Sequence, residues 1–112
     1  MPESRILLVL SVFLLFSCNH NSAVEPTYFC SDASPLVFAD VQSITATKCS
    51  IPGCHDGSNP KIPTLVTKTE WSDNAVDSKS QITRGAMPPA GSAQLTKFDT
   101  DKILCWINQG AN

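Results

Sequence analysis

The positions from Ile6 to Phe16 are apolar except for Ser11. That run is shorter than the ~20 residues a bilayer-spanning helix needs. It reads as the apolar region of an export signal. The next patterned stretch is Asp40 to Thr47, where Val41, Ile44 and Thr45 fall at i, i+3 and i+4, with Phe38 three residues earlier. This predicts a short amphipathic helix ending near Cys49. Residues 50–63 hold three prolines and two glycines and read as loop. One helical turn is expected over Thr69 to Asp73, and a second short helix over Ala75 to Arg84 with Val76 and Ile82 inward. Gly85 to Gly91 contains Pro88-Pro89, which fixes φ twice and removes two backbone donors, so it is neither helix nor central strand. The last element has the clearest signature. Thr96-x-x-Asp99 has capping-box spacing, Ile103, Leu104, Trp106 and Ile107 form an apolar stripe, and Gly110 sits where a helix-ending glycine belongs. Period-2 alternation is absent over any useful length. The expected class is all-α.

Composition narrows the function classes. The chain has 112 residues, with 8 Lys plus Arg, 10 Asp plus Glu and a net charge of −2. It is too short for a two-lobed enzyme or a large α/β scaffold. A hydrophobic share of 42% against 16% charged argues for a packed domain rather than a disordered chain. No basic excess is present to neutralise phosphates, so nucleic acid is not an expected partner.

The five cysteines carry the chemistry. Leu15-Phe16-Ser17-Cys18 resembles a bacterial lipobox, with a small residue directly before the cysteine. This implies cleavage before Cys18, acylation of its thiol and amine, and a domain held outside the cytoplasm on a membrane. The alternative is an ordinary signal peptide with Cys18 a free or paired thiol. The organisation expected is a signal peptide over residues 1–17, a lipid-anchored tether over 18–36 and one domain over 37–112. The localisation that follows is the cell envelope, on the periplasmic or outer-membrane side.

Cys49-Ser50-Ile51-Pro52-Gly53-Cys54-His55 puts two thiols and an imidazole within seven residues. One reading is covalent haem attachment through both sulfurs, with the adjacent histidine under the iron, as in C-x-x-C-H. The spacing here is C-x₄-C-H, so two extra residues must bulge outward, and Pro52-Gly53 suits such a turn. Other readings are a Cys49–Cys54 disulfide, or a zinc site lacking an evident fourth ligand. A haem working in electron transfer wants a second strong ligand. Met87 is the one methionine besides the initiator, and it lies in a stiff Met-Pro-Pro segment. It can equally be a core filler. His20 is the other candidate, within the tether. Arg84, three residues before Met87, is either a haem-propionate partner or a solvated surface arginine. Trp71 has no assigned role.

The order helix, C-x₄-C-H, Pro/Gly loop, Met87-Pro88-Pro89, and a final helix with Trp106-Ile107-x-x-Gly110-Ala111 resembles the small lipoprotein c-type cytochromes of Bacteroidetes and related bacteria. These are similar to class I cytochromes c. The resemblance covers about Val37 to Asn112. It implies a cytochrome c-like fold, with N- and C-terminal helices crossing beside a loop-rich haem pocket. It assigns Cys49 and Cys54 to thioether attachment of one haem c, His55 to the proximal and Met87 to the distal ligand position. Trp106 matches the aromatic that packs the final helix on the first. The implied helix crossing also brings Cys30 and Cys105 within reach of a disulfide, the alternative being two separate buried thiols. Phe38, Val41, Ile44, Leu95, Ile103 and Ile107 are expected at the crossing or against the porphyrin.

The expected activity is one-electron transfer between extracytoplasmic redox proteins, with membrane contact through the lipid anchor. Six-coordinate iron leaves no open site, so neither catalysis nor a small-molecule substrate is expected. One rival is a haem-free lipoprotein stapled by Cys49–Cys54 and Cys30–Cys105 that binds a partner protein or glycan. A second rival is a five-coordinate haem that binds a gas or peroxide.

Overall fold

The computed structural model describes residues 24, 27–31 and 34–112. Four helices follow in order: α1 (Phe38–Lys48), α2 (Lys68–Asp73), α3 (Ala75–Thr83) and α4 (Lys97–Asn108). No strand occurs among the described residues, and the fold is all-α. None of its helices is long and apolar enough to cross a membrane. The expected signal peptide, with Cys18 and His20, lies outside the described residues.

Three of the four helices start with a local side-chain hydrogen bond. Thr96 caps α4, its hydroxyl accepting from Asp99 N at 3.1 Å while the Asp99 carboxylate accepts from Thr96 N at 3.1 Å. That is the capping box expected from the spacing. Thr67 and Glu70 form a second one at α2, the Glu70 carboxylate accepting from the N–H groups of Val66 and Thr67. At α1 the Asp40 carboxylate accepts from Val37 N at 2.8 Å. Gly110 follows α4 with φ of +106°, a conformation that suits glycine and ends the helix.

The core is the crossing of α1 and α4, which are in direct contact, as are α3 and α4. Val41, Ile103 and Trp106 are fully buried, Ile107 nearly so, and Phe38 and Ile44 pack against them. The Trp106 ring lies 5.6 Å from Phe38 and 6.3 Å edge-on from Trp71, centroid to centroid. The chain end locks this arrangement. Asn112 O accepts from Phe38 N at 3.2 Å and from Trp106 Nε1 at 3.0 Å. Ala111 O accepts from Ser72 Oγ at 2.7 Å.

Cys30 and Cys105 are joined as a disulfide with a Cα–Cα distance of 5.4 Å. Around it the Tyr28 ring meets Phe98 edge-on at 5.6 Å, and Gln109 reaches back to Ser31 O and Leu36 N. The described stretch ahead of α1 is therefore fastened along α4.

One expectation is overturned. Val76 is 86% exposed, whereas Ile82 is buried as expected. Six residues advance a helix by about 240°, so the two cannot share a face. Half-buried Ala75 and Ser78, at seven and four residues before Ile82, share its side instead.

Candidate functional site

Cys49 is the residue that ends α1, its N–H bonded to Thr45 O at 2.9 Å. The extra residues of the C-x₄-C-H motif leave the path and return. Cys54 N donates to Ile51 O at 3.0 Å, and His55 N donates to Cys49 O at 3.1 Å. That second bond closes the bulge at its base, so the insertion is absorbed as a loop. Gly53 makes the turn with φ of +79°, a conformation costly for residues with a Cβ. Gly53 N is held by Ser58 Oγ, which in turn donates to Asp56. These Ser58 hydrogen bonds pull the Asp56 carboxyl below the usual carboxylate range.

Both Cys49 and Cys54 are free thiols, each partly buried. Burial, reinforced by the neighbouring Cys54, pushes the Cys49 thiol up to about 11. It is therefore a protonated thiol at neutral pH. The haem-free reading pairs these two residues in a disulfide; in this structure they are free thiols.

His55 is oriented by its own loop. Its Nδ1 lies 2.7 Å from Pro63 O. A carbonyl can only accept, so the proton must sit on Nδ1. In the neutral ring Nε2 then carries the free lone pair, available to a ligand site.

Cys49, Cys54, His55 and Met87 all line one cavity of about 350 Å³. The volume lies within the ~300–1,000 Å³ range of small-molecule and cofactor sites. One wall is the motif with Ile62, Pro63 and Leu65. A second is Trp71 on α2 with Ser78 and Ile82 on α3. The third is Met87-Pro88-Pro89 with Leu95. Aliphatic, proline and aromatic side chains dominate, with Lys48, Lys61 and Asp77 as the charged members. Met87 is 37% exposed, and the Met87–Pro88 peptide is cis. Its segment hangs from the end of α3, where Gln81 O accepts from both Ala86 N and Met87 N.

The donor set fits a covalently held haem. Two thiols, one imidazole with a free Nε2 and one thioether border the same apolar cavity. Among the described residues no three His, Cys, Asp or Glu side chains are grouped to hold a metal ion. A protein-only zinc cage at the motif is therefore not built.

Arg84 does not line the cavity. It donates to Gln81 Oε1, so of its two readings the surface one matches its contacts. Three contributors escaped the sequence reading. Trp71, 1% exposed, lines the cavity and donates from Nε1 to Leu65 O at 2.7 Å. Leu65, 5% exposed, donates from its N–H to His55 O at 2.9 Å. Ser50 donates from Oγ to the same Leu65 O. The Thr67-x-x-Glu70 spacing is a signal for α2 and sets Trp71 at its fourth position, with apolar Val66 ahead of the cap, the spacing of a hydrophobic staple. The Leu65 contacts have no sequence signal.

No family model matches this chain, and no curated protein or solved structure does either.

Proposed function

We propose that this chain is a lipid-anchored monohaem c-type cytochrome that carries single electrons between redox proteins outside the cytoplasm. The observation that supports it is one cavity bordered by Cys49, Cys54, His55 and Met87, with the His55 ring fixed by Pro63 O. The bound haem would supply a one-electron iron couple. Cys49 and Cys54 would hold it by thioether bonds. His55 would offer Nε2 as one iron ligand while Pro63 O keeps the Nδ1 proton. Met87, lining the same cavity, would offer its thioether as the other, and a His/Met pair favours the ferrous state over a pair of histidines. Ile62, Leu65, Trp71, Ile82 and Leu95 exclude water and lower the local dielectric, which also tunes the potential. Cys18 carries the lipid, and the disulfide fastens the chain that follows it to α4. No residue of α4 lines the cavity, so the fastening and the redox site use different surfaces.

The test is the absorption spectrum of mature protein made in a host competent for cytochrome c maturation. We expect a sharp reduced band and colour that survives acid–acetone extraction. The ferric protein should show the weak near-infrared band of thioether ligation. Met87→Ala should lose that band and bind carbon monoxide when reduced. A colourless product beside a correctly matured control cytochrome would refute the proposal. Carbon monoxide binding by the unaltered protein would point instead to a five-coordinate haem.

A further inference from the structure

The loop between His55 and Leu65 leaves the motif and comes back to it. Its base is closed by Leu65 N donating to His55 O at 2.9 Å. Within it, Pro63 O is the acceptor that fixes the His55 ring at 2.7 Å. Pro63 lies two residues before Leu65, and its own φ is locked by its ring. The position of Pro63 O relative to His55 thus depends on where Leu65 is held.

Leu65 is held from two sides. Its carbonyl accepts from Ser50 Oγ, inside the C-x₄-C-H insertion. It also accepts from Trp71 Nε1 on α2, at 2.7 Å. A carbonyl oxygen has two lone pairs, and these donors use both. Leu65 and Trp71 are buried, at 5% and 1% exposure, so water does not readily replace a lost donor. Neither donor touches His55 through any hydrogen bond of its own.

We propose that Ser50 and Trp71 are positioning residues for His55, acting through the shared Leu65 carbonyl. They hold Pro63 O against Nδ1–H and thereby set how electron-rich Nε2 is. One residue of the motif's insertion then has a specific task. The consequence for redox potential rests on the haem reading above; the consequence for the imidazole itself does not. A firmer Nδ1–H···O bond makes the imidazole a stronger donor, favours ferric iron and lowers the potential. Loosening the clamp raises it.

Ser50→Ala is the cleanest variant, because Ser50 does not line the cavity. The readouts are the reduction potential and the ring ¹⁵N and ¹H resonances of His55 in the reduced full-length mature protein. We expect a higher potential and exchange of the Nδ1 proton faster by roughly two- to tenfold, the factor one net hydrogen bond sets. Ser50→Thr keeps the hydroxyl and should restore both. Trp71→Phe keeps a ring but lacks the N–H, and should shift both in the same direction. A Ser50→Ala protein that is less stable yet unchanged in potential and His55 exchange would overturn the proposal, as would failure of Ser50→Thr to rescue. The ¹⁵N measurement is made whether or not the protein is coloured. A colourless protein would sink the haem reading alone, provided His55 still sits in the Nδ1–H form and Ser50→Ala erodes it. Identical ring shifts in colourless wild type and Ser50→Ala would overturn the positioning role as well.

Discussion

The α1–α4 crossing and the cavity half of the molecule are built in opposite ways. At the crossing, Val41, Ile103 and Trp106 have no exposed surface, and the chain end ties α4 back to α1 and α2. Around the cavity, Cys49, Cys54, His55 and Leu95 are only partly buried and Met87 is open at its edge. Loops form two of its three walls. The first half supplies its own core. The second presents apolar walls to a space of about 350 Å³. Trp71 is the joint, meeting Trp106 on one side and lining the cavity on the other.

This contrast can be broken from the stronger side first. Trp106→Ala removes the central ring of the crossing and leaves Asn112 O without its indole donor. We expect a loss of about 3–5 kcal/mol in denaturant unfolding, enough to prevent folding of so small a domain. Cys30→Ser with Cys105→Ser should cost a similar amount. Their sequence separation is 75, for which the loop-entropy model gives about 4.5 kcal/mol, and measured losses run from about 2 to 5. Calorimetry at fixed protein concentration reads the difference. A double variant that unfolds like the parent would show that α1 and α4 hold without the bridge.

Cys49→Ala with Cys54→Ala sharpens the contrast from the other side. In this variant we expect amides of α1 and α4 to keep hydrogen-exchange protection, while residues 56–64 and 85–95 exchange freely. Uniform protection across both halves would mean that the cavity half folds without a filler.

The parts that could be read from sequence are those with local causes. α4 was legible because a capping box precedes an apolar stripe and a glycine follows it. α1 was legible through Val41, Ile44 and Thr45, although it begins at Phe38 rather than Asp40. Met87 was legible as a partner of the Cys/His motif because it is the one methionine besides the initiator and lies in a stiff Met-Pro-Pro segment, and the family resemblance gave it the distal position. Cys30–Cys105 was carried by the implied helix crossing. Val76 was misplaced because two apolar residues six apart were read as one face. Leu65 was not legible at all. Its role lies in backbone groups that meet Ser50, His55 and Trp71 only after folding, and a backbone carbonyl has no residue signature.

The smallest expected effect is on pH dependence. Backbone N–H groups of Thr67 and Val66 hold the Glu70 carboxyl below its ordinary value. That favours the fold above the ordinary carboxylate range and is lost as pH falls through the lowered value. Glu70→Ala should therefore lower stability slightly near neutrality and converge with the parent in acid, flattening the acid limb. A wild-type acid limb that already matches Glu70→Ala would contradict this.

Tryptic cleavage after Lys48 and Lys61 releases residues 49–61, which contain both motif cysteines and His55. Mass spectrometry of that peptide from protein matured in a cytochrome-competent host is the most direct test of a cavity built for covalent haem. We expect the peptide mass plus one haem, with neither Cys49 nor Cys54 open to alkylation. A peptide that takes two alkyl groups, or one that loses two hydrogens to an internal disulfide, would contradict it.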